Sequence, residues 1–282
     1  MAKTFRPMPA VQGVSAGAIA TLDCPIGLTY HGLLFTMGGT TFDLSKINTI
    51  KVKGNGRTLF EDTGANLDVH NLFEGRSAAS ATQFYLDFER YGLDIPIGQT
   101  VAESLRGREM TAIGTGQTPT EQSPIELTTL QVELEIDGTA VAPTLSCKAL
   151  QSPSRGLGLI RKRRKFNYFP SGSGEFEISD LPKGDLIDKV YIHSANDTIQ
   201  RVKMETDNFL AFDRVPAENN LIQLDGVRVP QGSLFVIDPS ERGRGDEMIV
   251  TRGVRDFRLK VDCNGADTLS VFVDYVGAFA GN

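Results

Sequence analysis

Leu130, Val132, Leu134 and Ile136 are apolar, and Gln131, Glu133 and Glu135 between them are polar. That period of two marks a strand with one face in a core and the other in water. Segment 144–150 is its expected partner. Similar alternation predicts strands at 18–22 and 30–36 and across Phe84, Leu86 and Phe88. Ile47, Ile50 and Val52 run into Gly54-Asn55-Gly56, a hairpin signal because Asn and Gly accept the positive φ of tight turns, and 58–61 returns. A short helix is expected at 67–73, capped by Asn66 and stopped by Gly75, since Val69, Leu72 and Phe73 share one face. Later in the chain the same grammar predicts strands at 176–178, 186–193, 199–204, 234–238, 257–263 and 269–276, with turns at Asn196-Asp197 and Asn264-Gly265.

The second set of elements repeats the first. Asp23-Cys24-Pro25-Ile26-Gly27 returns as Asp180-Leu181-Pro182-Lys183-Gly184, and Ile47, Ile50, Val52, Phe60 and Glu61 are answered by Ile199, Val202, Met204, Phe212 and Asp213. Leu130, Val132, Leu134 and Ile136 match Phe257, Leu259, Val261 and Cys263, and Thr144-Leu145-Ser146 then matches Thr268-Leu269-Ser270. Matches that keep their order are what two diverged copies with different loops produce, and the period is too long for a solenoid. Many short strands without βαβ alternation favour an all-β chain of two tandem antiparallel sandwiches with short helices in the loops. Jelly rolls are the expected form, although the pattern alone does not separate them from immunoglobulin-like sandwiches. The expected organisation is an N-terminal arm at 1–17, a first roll at 18–152, a basic linker at 153–165 and a second roll at 166–282.

Composition narrows the function. A net charge of −6 argues against a protein that coats nucleic acid, because such proteins displace counterions with a basic excess. Cys24, Cys147 and Cys263 form no CxxC pair and are odd in number, so reduced, buried thiols are expected. The first residues have no apolar run of signal-peptide length and no stretch has the length of a membrane span, which leads to the expectation of synthesis and folding in the cytoplasm.

Candidate chemistry is sparse. Gly13-Val14-Ser15-Ala16-Gly17 fits G-x-S-x-G, but a nucleophile elbow needs a strand before it and a helix after it, whereas a Pro-containing arm precedes this one and a strand is expected to follow. His31, His70 and His193 are far apart in sequence and belong to no zinc-ligand spacing. No enzyme activity, catalytic residue, cofactor or metal site is therefore expected. Loop carboxylates could take a structural calcium ion, yet no EF-hand-like spacing singles out a site.

The sharpest local anomaly is Arg161-Lys162-Arg163-Arg164-Lys165, followed by Phe166, Tyr168 and Phe169. Such a segment suits a membrane or subunit contact, or the phosphates of nucleic acid, since a cation near an anionic bilayer contributes on the order of 1 kcal/mol. The plainer reading is a solvated linker leading into the second roll, its charges pairing with a neighbour's acids.

Several segments carry a resemblance to a known family. They include Pro25-Ile26-Gly27-Leu28-Thr29-Tyr30, the hairpin around Asn55-Gly56-Arg57, Ala112-Ile113-Gly114-Thr115, Pro143-Thr144-Leu145-Ser146 and the Arg-rich approach to Phe166. Ile178-Ser179-Asp180-Leu181-Pro182, Phe257-Arg258-Leu259-Lys260-Val261-Asp262 and Val273-Asp274-Tyr275-Val276-Gly277 complete them. In order and coverage the chain resembles the double jelly-roll major capsid proteins of tailless, membrane-containing icosahedral bacteriophages, most closely the corticovirus type. The stretch from Gly116 to Ser123 is longer here. The resemblance implies a virion coat protein whose homotrimers, pseudo-hexagonal because two rolls taken three times give six lobes, tile an icosahedral shell around a lipid membrane. It also implies neighbouring capsomers, the viral membrane or its proteins and a vertex protein as partners, with no sequence-specific nucleic acid. The alternative is a tandem jelly-roll receptor- or carbohydrate-binding viral spike, disfavoured by the absence of Trp for sugar stacking. A hydrolase on the same scaffold is weaker still.

Overall fold

A computed structural model describes residues 3–90, 108–116, 125–241 and 247–279. Its first half contains β1 (Thr4–Pro7), β2 (Ile19–Cys24), β3 (Thr29–Gly38), β4 (Ile47–Gly54), β5 (Arg57–Asp62), helix α1 (Gly64–Phe73), β6 (Gln83–Asp87), β7 (Ile113–Gly114), β8 (Leu130–Ile136) and β9 (Thr144–Ser152). Its second half contains β10 (Ile160–Tyr168), β11 (Gly174–Ile178), β12 (Leu186–Ser194), β13 (Ile199–Thr206), β14 (Phe209–Arg214), helix α2 (Pro216–Gln223), β15 (Leu234–Ile237), β16 (Ile249–Val250), β17 (Phe257–Cys263) and β18 (Leu269–Gly277).

The two halves share one topology. In the first, β1-β9-β3-β6 face β2-β8-β4-β5, with β7 on β3; in the second, β10-β18-β12-β15 face β11-β17-β13-β14, with β16 on β12. Each strand of the first half thus has its counterpart nine strands later, and each half is a jelly roll. The repeated Pro-Gly motifs follow equivalent strands, although Cys24 ends β2 whereas its counterpart Leu181 lies three residues beyond the end of β11. Leu130, Val132, Leu134 and Ile136 are buried in the first core and Phe257, Leu259, Val261 and Cys263 in the second, as their alternation predicts. All three cysteines are free and buried.

Three expectations are corrected. The arm at 1–17 contains β1, the edge of the first roll paired with β9; all four of its residues are exposed, so it leaves no alternating signature. Helix α1 begins earlier than 67 because Thr63, not Asn66, is its cap: the Thr63 hydroxyl accepts the Asn66 amide at 3.2 Å. Most consequentially, the linker expected at 153–165 becomes strand from Ile160 onward. β10 lies inside a nine-stranded sheet, antiparallel to β18 on one side and parallel to β5 on the other, with Arg163 in register with Phe60. That contact fuses a sheet of each roll into one. The Gly116–Ser123 insertion lies outside the described residues after Gly116.

Candidate functional site at the junction of the rolls

The basic segment expected at a surface is largely interior. β10 alternates like any strand, so Arg161, Arg163 and Lys165 project to one face and Lys162, Arg164 and Phe166 to the other. The first face meets the first roll. Arg163 is fully buried: its Nε and NH2 groups donate to the two carboxylate oxygens of Asp274 on β18 at 2.6 and 2.7 Å, and NH1 donates to Asp62 of β5 at 2.6 Å. Its guanidinium also lies 4.9 Å from the Phe60 ring and 5.0 Å from the Tyr191 ring. One cation therefore binds both rolls, through a bidentate pair to one, a single bond to the other, and an aromatic ring from each.

Around it the network spreads. Arg161 donates to the Asp87 carbonyl at 3.0 Å and lies 3.7 Å from Glu74, just beyond α1. Glu74 also takes Lys189 at 3.1 Å and the Tyr191 hydroxyl at 3.0 Å, both from β12. Arg90 reaches Asp188 at 2.5 Å and Ser240 at 2.6 Å. Burial alone would raise the carboxyl groups of Asp62, Glu74 and Asp274. The neighbouring cations and hydrogen bonds win, the His70 ring and Arg163 at Asp62, Lys189 and Arg161 at Glu74 and Arg163 at Asp274, and hold all three below the ordinary carboxylate range. Asp87 shows the reverse balance, with burial raising it to about 6 despite Arg76.

Two histidines that the sequence keeps apart meet here. His70 of α1 and His193 of β12 approach Nε2 to Nε2 at 2.8 Å, while His70 Nδ1 lies 3.0 Å from Asp62 and 2.9 Å from Arg163 NH1. Beside them Phe73 and Val69 of α1 pack on Tyr191, Leu234, Val236 and Phe272. Helix α1 is thus the first roll's apolar plug on the outer face of the second.

The other face of β10 holds a further buried cation, and beyond it the strand opens to solvent. Lys162 is buried and pairs with Asp185, also donating to the Ala278 carbonyl at 3.0 Å. Arg164 and Lys165 are partly exposed and line a cleft of 510 Å³ with Arg57, Glu61 and Phe279. Lys165 lies 5.7 Å from the Phe272 ring. So the five basic residues divide into three structural cations and two that reach solvent. The signal that could have exposed the division is Asp274, a lone acid inside the otherwise apolar run from Val271 to Val276.

Ser15 sits in a turn, its carbonyl accepting the Ala18 amide at 3.2 Å, and β2 rather than a helix follows. His31, Glu89 and Glu109 converge, but Lys3 lies 2.6 and 2.9 Å from the two glutamates and supplies the positive charge itself.

Two complete jelly rolls joined through a shared sheet define a double jelly-roll protein, the architecture of viral coats. The chain belongs to the viral coat protein P2 family: the model of the N-terminal domain matches residues 5–152 and that of the C-terminal domain residues 160–279. It is 26% identical to the major capsid protein P2 of Pseudoalteromonas phage PM2 over 286 residues, 99% of each chain. The crystal structure of that phage's P2 superposes with a TM-score of 0.88 at 24% identity over 100% of both chains. The STIV major capsid protein follows at 0.69 and 9% identity, over 99% of this chain and 98% of that one. The PBCV-1 capsid gives 0.62 and 10%, over 100% and 97%. The protein is a viral capsid protein and a component of the virion shell; the spike alternative has no support among these relatives.

Proposed function

We propose that the chain is the major building block of an icosahedral shell, assembling as trimers that tile with neighbouring capsomers around a lipid membrane and meet a distinct protein at the vertices. The observation that carries this reading is the repeated roll, matched over both halves by the coat-protein family. Three chains then supply six similar lobes, and identical chains can fill a near-hexagonal lattice. Its work is mechanical and involves no catalytic turnover. Arg164 and Lys165, with Arg57, are the cations of the basic segment available to anionic headgroups or to a neighbouring subunit.

Native mass measurement of the purified chain, followed by particle reconstitution with anionic vesicles, tests the proposal. The expected result is a species of three chains that coats vesicles. A stable monomer that binds a defined glycan and never enters particles would overturn it.

A further inference from the structure

Helix α2 is inside out. It buries Asn219 and Gln223, which both donate to the Val236 carbonyl, at 2.8 and 2.9 Å. It presents Leu221, 73% exposed, and Ile222, 48% exposed, with Leu224, 64% exposed, just beyond its end. Val227 and Val229, further along the chain, are also exposed. An apolar cluster of this kind on a helix whose inward face is already satisfied by hydrogen bonds marks a surface made for contact.

The internal repeat says what it contacts. The spacing that matches Ile47 to Ile199 and Phe60 to Phe212 also matches Leu67 to Asn219, Val69 to Leu221 and His70 to Ile222. Leu67 and Asn219 are the inward residues of their helices. Val69 and His70, together with Phe73, are the residues with which α1 docks on the second roll, His70 stacking 4.2 Å from Tyr191. Leu221 and Ile222 thus occupy, on the second roll, the docking positions of the first.

The receiving face is duplicated as well. On the second roll Tyr191 of β12 lies opposite Val236 of β15 and Phe272 of β18. On the first, Leu34 of β3 lies opposite Tyr85 of β6 and Lys148 of β9. The second-roll set is buried beneath α1, whereas Leu34 and Tyr85 are only half-buried and Lys148 is exposed. Phe5, 49% exposed, and half-buried Leu150 pair across β1 and β9 on the same sheet. Leu34, Tyr85, Ala78 and Ala79 line a recess of 310 Å³. Among the described residues, a single chain therefore has one docked helix, one undocked helix and one sheet face left open.

We infer that α2 of one chain docks on the outer β1-β9-β3-β6 face of a second copy, repeating between chains the contact that α1 makes within one, with Ile222 against the partner copy's equivalent of Leu34. The contact is heterologous, so it forms a ring when its rotation closes. The inference rests on the trimeric coat reading, in which three chains complete the ring.

Native mass measurement of Leu221→Asp/Ile222→Asp tests it, with circular dichroism to verify the fold; both side chains are largely outside the core. The expected result is a shift from the mass of three chains to that of one with an unchanged spectrum. A second variant, Leu34→Cys/Ile222→Cys, should yield covalently linked chains under mild oxidation and separate chains after reduction; the native thiols are buried. A wild-type trimer that survives the double Asp change, or a Cys pair that never links chains, would overturn the docking while leaving the coat reading intact. A wild-type chain that remains monomeric and forms no particles would overturn both.

Discussion

His70 and His193 face each other across the two rolls, Nε2 to Nε2 at 2.8 Å, and neither reaches bulk water freely. A contact between two such nitrogens holds one proton, donated by one ring and accepted by the other, and burial, which disfavours the charged form of both, keeps the two imidazoles neutral near pH 7. Burial lowers His70 despite Asp62, and burial followed by the His70 neighbour lowers His193 to about 3. Asp274 is the other acid and Arg163 and Lys165 are the cations whose fields act on this pair.

Acid should therefore loosen the junction. The unfolded chain takes up protons near the ordinary histidine value of about 6.5, whereas the folded chain refuses them, so stability is full above that value and falls as pH drops toward 3. The slope is up to about 1.4 kcal/mol per pH unit for each proton. Asp62, Glu74 and Asp274 add a further loss below the ordinary carboxylate range. Asp87 opposes it: raised to about 6, it stays protonated in the fold where the unfolded chain has ionised, so its contribution falls as pH rises toward 6. Denaturation of wild type and His193→Gln between pH 7 and 4 checks the assignment. The variant should show the shallower slope, and equal slopes would place the sensitivity elsewhere.

Removing the central cation should be severe. Arg163→Met leaves Asp62 and Asp274 buried without their partner, at a cost of about 3 to 5 kcal/mol. Urea denaturation measures it, and a loss below about 1 kcal/mol would mean that water already reaches the clamp.

Gly64→Ala should destabilise although alanine is the better helix former by about 1 kcal/mol. A Cβ there would lie 1.9 Å from the Leu44 carbonyl oxygen and 2.9 Å from that of Ile47. The start of α1 would have to move, carrying His70 and Glu74 with it. A loss of about 1 to 3 kcal/mol is expected by thermal denaturation, and a gain would show that the helix start can shift freely.

Arg164→Gln/Lys165→Gln should leave the fold intact and weaken attachment to vesicles containing anionic lipid by about 30-fold, at roughly 1 kcal/mol for each cation. Added salt should erase the difference. Co-sedimentation with anionic and with neutral vesicles separates charge from other contacts; identical binding by wild type and variant would remove these residues from the membrane face.

What the sequence disclosed followed the water. β8 and β17 each turn one face to solvent, so their alternation is visible, and the order of repeated motifs is sufficient to find two rolls. β10 hides because its inward residues are cations whose counterions, Asp62, Asp185 and Asp274, come from other parts of the chain. Helix α2 hides for the opposite reason, with Asn219 and Gln223 inward and leucine and isoleucine outward. β10 meets the other roll, and a contact between rolls leaves no periodic mark in a single strand.

The geometry of Arg163 also fixes an order of events during synthesis. Its partners come from β5, α1, β12 and β18, and β18 emerges from the ribosome after every other described strand. The first roll can close early, as domains generally do, but its α1 surface has no seat until the second sheet is complete. An interrupted chain would then carry an unpaired guanidinium and a bare apolar helix, features that chaperones and proteases can detect.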